Sequence, residues 1–346
     1  MKKKLILAAS VAIVAAAAAS CGTKDIKYDT SLDVKEVHCK TEVMNREFMF
    51  DFPRDMFVIN ETIAVYDMFA DDYRIHFFSK STGDYLGGAI RKGRGPGELT
   101  MILSLNLSPD GRLVAFDPNL KKLVILDLSG DEMRVSEQKL PEETKNVSQV
   151  LPLPDGKYLM KGTTGTMRFG IYDPETDEVK SLYDSYPAVD SDEEICWSIF
   201  DYAYNLRLSP DPKRLVGCTY AGSIIESFSI EDGRINPDRS AFIVKPVFTF
   251  AQGATPKYVA LDDDSTIGTE ELFVTDDGCY ALMWNVISKD MDNVNPPIVF
   301  FDKKLKPLYK MVFDDGQPQT FTIGPDGTMY MVMLDEDGEL FLARKR

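Results

Sequence analysis

The chain is poor in histidine and tryptophan, with two of each in 346 residues. His38 lies in a strand-like stretch and His76 in the apolar run RIHFF, as structural histidines would. A histidine-based acid–base or metal centre has little to draw on. No GxSxG, HExxH or comparable nucleophile context occurs. The five cysteines match no zinc or redox spacing. Of these, Cys39, Cys196, Cys218 and Cys279 follow the N-terminal segment. Cys218 and Cys279 sit in apolar runs and read as small buried hydrophobes, so no bridge is expected. Basic residues are also in deficit, 39 Lys+Arg against 55 Asp+Glu, which argues against nucleic acid as a partner. Finally, the apolar or small-residue run at 5–19 is fifteen residues long, short of the roughly 20 that span a bilayer.

That short run is nevertheless informative. MKKKLILAASVAIVAAAAASC places three lysines before it and Ser20-Cys21 after it, which is the pattern of a secretory signal. AAS-C resembles the lipobox of bacterial lipoproteins, which implies a signal peptide over 1–20, lipidation of Cys21 and a linker over 21–33. Several acyl chains would anchor the domain firmly, at about 0.8 kcal/mol per buried methylene. Loss of 1–20 would reduce Lys+Arg from 39 to 36 against 55 acids, a net −19. Lys24 and Asp25 give no acidic cluster after the cysteine, so the expected address is the outer membrane, facing the periplasm.

Beyond the leader, one tag recurs: SPDGRL at 108–113, LPDGKY at 153–158, SPDPKR at 209–214 and GPDGTM at 324–329. Looser copies are TDDGCY at 275–280 and VINETI at 58–63. The turn residues Asn60, Asp110, Asp155, Asp211, Asp277 and Asp326 stand 50, 45, 56, 66 and 49 positions apart. Proline presets φ and glycine accepts positive φ, so each tag is a tight turn between strands. A second strand–turn–strand signal follows each, as in HFFSKSTGDYL and VFFDKKLKPLY. Four strands per unit and six units predict an all-β, six-bladed propeller over 34–346. The last unit lacks its outer strand, and KEVHCKTEV near the N-terminus is placed to supply it and close the ring.

The leader, the six turn tags and GRGPGEL after the first unit resemble the TolB-like six-bladed propeller lipoproteins of Bacteroidales, over nearly the whole chain from 34 onwards. The resemblance implies architecture and export but no agreed activity.

RKGRGPGEL, residues 91–99, is rich enough in glycine and cations to suggest a phosphate loop. It lacks the GxxxxGK[ST] pattern and a following helix, so it is expected to be a corner between the outer strand of blade one and the inner strand of blade two. Glu98 is expected to pair with a neighbouring cation, and Arg94 and Glu98 lie on the face where propellers bind partners.

Six positions before each turn residue stand Arg54, Ser104, Gln149, Asn205, Glu271 and Thr320, all polar. They are expected at the upper mouth of the central channel, as a binding ring or as solvated strand starts. The positions five and three before the turn are apolar in nearly every copy and are expected to bury against a neighbouring blade. Asp55 is the exception. Arg54, Arg94, Glu98, Gln149, Asn205 and Glu271 are therefore the candidate ligand-binding residues.

Two functions fit. One is a lipid-anchored, monomeric binding module for an envelope protein, peptide or small ligand, touching the membrane only through its anchor. The other is a calcium-dependent, lactonase-like hydrolase, with Glu271, Asn205 and Asp55 as oxygen ligands. No other cofactor is expected and no catalytic residue stands out. The irregular stretch 240–273 is placed to fold over a rim, and Trp197, Phe200, Tyr202 and Tyr204 are placed near the mouth or in core packing.

Overall fold

The turn at Asp110 shows how a unit is built. Gly111 takes φ 84°, the left-handed conformation that glycine enters without strain. Ser108 Oγ accepts from the Arg112 N–H at 2.9 Å. The turn thereby sets Leu107 opposite Leu113 and pairs strands Ser104–Leu107 and Leu113–Asp117. In the degenerate first copy Asn60 adopts φ 52°, a conformation asparagine tolerates better than most residues.

The computed structural model describes residues 26–29, 32–130, 132–162, 168–183, 185–187, 189, 196, 198–200, 204–231, 233–252 and 259–346. Their strands form six large sheets, at 53–89, 104–139, 147–183, 204–244, 266–313 and 317–345 with N-terminal additions, and one small sheet pairs Thr249–Phe250 with Val259–Ala260. The six large sheets are the blades of a six-bladed propeller. The innermost strands are Pro53–Ile59, Ser104–Leu107, Val147–Pro152, Tyr204–Leu208, Thr266–Val274 and Gln317–Ile323.

Ring closure goes further than the sequence suggested. Glu42–Asn45 pairs antiparallel with Leu340–Lys345 and supplies the outer strand of blade six. The preceding strand, Lys35–Cys39, lies parallel to Pro307–Phe313 as a fifth strand of blade five. One segment thus clasps two consecutive blades, and His38 fastens it by pairing with Asp314 at 2.8 Å. The contacts begin earlier still, inside the expected linker. Asp29 N–H donates to Phe242 O at 2.9 Å, and Tyr28 meets the Phe242 ring edge-on. Cys21 lies outside the described residues.

The core is six apolar wedges, one at each junction between blades. Positions five before the turn supply them: Leu105, Val150, Leu206, Leu272 and Phe321 are fully buried. The wedge between blades three and four also holds charge. Arg168, wholly buried, pairs through both terminal nitrogens with Glu226. Tyr204 donates to the same carboxylate at 2.9 Å, and Phe200 and Tyr186 stack on the guanidinium at 4.8 and 5.1 Å. Phe200 and Tyr204 are therefore core residues, while Trp197 and Tyr202 lie outside the described set. Cys39, Cys196, Cys218 and Cys279 are buried and in no disulfide. His76 is packed between Phe48 and Tyr85, and burial lowers its pKa.

Candidate functional site

Of the polar residues six before the turn, Arg54, Ser104, Gln149 and Asn205 line the upper end of the channel, and most of the six are used between blades. Ser104 Oγ accepts from Val150 N–H at 3.1 Å. Gln149 accepts from Leu206 N–H at 3.0 Å and donates to Leu206 O at 2.9 Å. Glu271 Oε2 accepts from Phe321 N–H at 3.1 Å and from the Thr320 hydroxyl at 2.6 Å. In each case a side chain six before one turn satisfies the backbone five before the next turn. Such bonds stitch blade to blade and use backbone groups that edge strands leave unpaired.

The channel between these strands is crossed by one ion pair. Arg207, four positions before its turn in blade four, donates to Asp55 of blade one, the opposite blade in the ring. It also donates to Asn205 Oδ1 at 3.0 Å and stands 3.8 Å from Glu271 Oε1. Burial first, and the nearby Asp55 charge second, raise the Glu271 pKa from 4.5 to about 8. Both bonds received by Glu271 end on Oε2, and Oε1 faces Arg207.

Above Arg207 lies a cavity of about 630 Å³. Arg54, Gln149 and Asn205 line it, together with Asp55, Arg207 and Glu270. Arg54 pairs with Glu270, whose other oxygen accepts from Trp284 Nε1 at 2.7 Å. Tyr66, Tyr204 and Tyr220 are held as neutral phenols, their pKa values raised by burial, to about 12 for Tyr220. Lys161 reaches Tyr204 O at 2.6 Å in the same wall. The rim is apolar: Met101, Leu103 and Leu261 are 38, 44 and 36% exposed. Val259 and Leu261, from the stretch between blades four and five, line this cavity.

Glu271 lines a different cavity, below Arg207 on the side of the turns, of about 320 Å³. There the ring three before the turn, Phe57, Leu107, Pro152, Leu208 and Val274, faces the channel. Burial against a neighbouring blade was expected for it. Phe57, Leu107, Leu208 and Val274 do pack on the wedges between blades, the first three half-buried so that they also look into the opening.

Arg94 and Glu98 are apart from both cavities. Glu98 folds back so that Oε2 accepts from Gly95 N–H at 2.8 Å. A Cβ on Gly93 would meet that oxygen at 2.0 Å, so a side chain there would displace the carboxylate. The backbone donor a phosphate would use is filled by the loop's own carboxylate, not by pairing with Arg91, Lys92 or Arg94. Gly97 N–H in turn donates to Glu137 of blade two, and Asp117, fully buried, accepts from Thr100 and Met101 N–H. RKGRGPGEL is a pinned corner, and Arg94 is exposed on it.

Sequence comparison now bears on this geometry. The family model for the TolB-like six-blade propeller-like proteins matches residues 33–323. The chain belongs to this family. All six inner strands fall within the match. The propeller is also similar to solved structures at low identity. A Bacteroides fragilis protein described as exported shares 13% identity at a TM-score of 0.57, covering 90% of this chain and 98% of its own. A DUF4221 family member from Bacteroides vulgatus shares 11% at 0.57, covering 88% and 95%. A calcium-binding regucalcin from Agrobacterium tumefaciens shares 11% at 0.52, covering 90% and 95%. These likenesses show the fold. No curated protein matches the sequence.

In this TolB-like propeller the three oxygen ligands of the calcium alternative do not form an open set. Asp55, Asn205 and Glu271 all surround the Arg207 guanidinium, where a cation would sit. Among the described residues, no group of three His, Cys, Asp or Glu side chains is arranged to hold a metal ion.

Proposed function

We propose that this protein is an exported, lipid-anchored binding module that holds a peptide segment of another envelope protein at the upper mouth of its channel. The observation that carries the proposal is the pairing of a charged floor with an apolar rim. Arg54, Asp55, Arg207 and Glu270 form the floor, and Met101, Leu103 and Leu261 stand exposed around it. Phe52 and Phe69 extend the apolar surface beside Arg54, 42 and 57% exposed, with ring centroids 5.4 Å apart. Apolar side chains with aromatic neighbours around a few oriented polar groups are what protein-contact sites use. The floor suits backbone amides and polar side chains, since its charges are already paired with one another.

The leader MKKKLILAASVAIVAAAAASC supports export and anchoring at Cys21. Among the described residues no helix is long and apolar enough to cross a membrane. The acidic balance of the chain fits a protein partner better than a polyanion.

A photo-crosslinking residue at Met101, Leu103 or Leu261 in living cells tests the site. The expected result is one discrete adduct shared by all three positions and lost in Arg54→Glu. No adduct, or an equal adduct from Leu86 on the outer strand of blade one, would count against the upper mouth.

A further inference from the structure

We infer that the lower half of the channel is a second binding site, for a small, uncharged and mainly apolar molecule bearing one hydrogen-bonding group. Its chamber of about 320 Å³ falls at the small end of ligand pockets, roughly 300–1,000 Å³. The wall is built by Phe57, Leu107, Leu208, Phe273 and Val274, contributed by four blades. At the inner end stand Arg207, Glu271 and Asn106. The Arg207 charge is met by Asp55, so an ionic ligand would lose its hydration without finding an unpaired opposite charge. A neutral molecule loses little by entering and can use one polar group at Glu271 or Asn106.

An apolar path leads in from outside. The chamber shares Phe57, Leu107, Pro210 and Phe273 with a basin of about 720 Å³ on the turn face. The far side of that basin carries Tyr280, Phe300 and Tyr309, whose centroids are 4.8 and 5.3 Å apart in succession. Arg207 lines the upper cavity as well as the lower, and its pair with Asp55 forms the partition between the two sites. The two ends thus differ in chemistry: charged side chains line the upper cavity, whereas the lower chamber has a mainly apolar wall, with Asp276, Asp277 and Lys345 only in the outer basin.

Methionine methyl groups report on the two ends separately. Met56 lines the lower chamber, and Met68 and Met101 line the upper cavity. The full chain, labelled with ¹³C at methionine methyls, would be titrated with 2-naphthol, a neutral aromatic probe with one hydroxyl. The expected result is a saturable shift of the Met56 methyl with Met68 and Met101 unmoved. Leu208→Phe, which fills the chamber, should weaken this by about tenfold or more, and Arg54→Ala should leave it unchanged. If Leu208→Phe loses its cooperative melt, Leu107→Phe serves the same purpose. No saturable shift at Met56, a shift confined to Met68 and Met101, or a Met56 shift of undiminished affinity in a folded chamber-filling variant would overturn the inference.

Discussion

Arg207 and Asp55, 152 positions apart in sequence, meet across the channel from opposite blades. Their pair joins the inner strands of blades four and one, which share no backbone pairing. It closes the channel at one level and decides what the levels above and below can do. It also fills the place where a channel cation would sit.

Calcium is therefore expected to leave the native protein unaffected. Chelator should not move the melting temperature, because a bound ligand would have to stabilise the native state to be felt. Arg207→Ser, which frees Asp55, Asn205 and Glu271, should make the melting temperature rise with added calcium and not with sodium. A chelator-sensitive melt of the unaltered protein would contradict the assignment.

Glu271 gives the fold a pH dependence of definite sign. Its pKa is raised from 4.5 to about 8 by burial and by Asp55, with Arg207 opposing. The folded chain keeps the proton that the unfolded chain releases, so the contribution is full below pH 4.5 and is lost as pH rises through about 8. Glu271→Gln mimics the protonated form. Its stability relative to the unaltered chain should climb between pH 4.5 and 8 and then level, as measured by urea unfolding at a series of pH values.

The Arg168–Glu226 pair has no solvent to fall back on. Arg168→Ala would leave the Glu226 carboxylate buried with only Tyr204 as donor, a loss of about 3–5 kcal/mol. Arg168→Met with Glu226→Leu should be less destabilised than Arg168→Ala alone. Urea midpoints of the three proteins compare them directly.

At the corner, Glu98→Ala should cost about 1–3 kcal/mol by leaving Gly95 N–H without its acceptor. Gly93→Ala, whose Cβ would displace the same carboxylate, should add little once Glu98 is gone. Additive losses would show that the two residues do not act through one contact.

The repeat was legible because turn chemistry is local: a Pro-Asp-Gly tag or a looser copy of it marks every blade whatever surrounds it. The polar ring was legible too, from Arg54 to Thr320, but its work was not. Ser104, Gln149 and Glu271 reach the next blade's backbone, and a single chain gives no sign of which partner a side chain will meet. Asp55 stood out as the one charge in an apolar column, a signal of the cross-channel pair. Its partner Arg207 is equally the one charge four before the turn, but nothing in a single sequence ties two such exceptions in opposite blades to each other. The clasp by Lys35–Cys39 was hidden because parallel pairing leaves no hairpin signal. Arg168 gave no sign either: it follows no motif, and its aromatic surroundings come from two blades.

A double-mutant cycle on Asp55 and Arg207 tests the central pair most directly. Asp55→Leu, Arg207→Met and the double variant would be compared with the unaltered chain by urea unfolding. Each single variant leaves one charge largely buried and should lose about 3 kcal/mol, while the double should recover most of that loss, a coupling of about 2 kcal/mol or more. Losses that simply add would mean the two side chains do not meet across the channel.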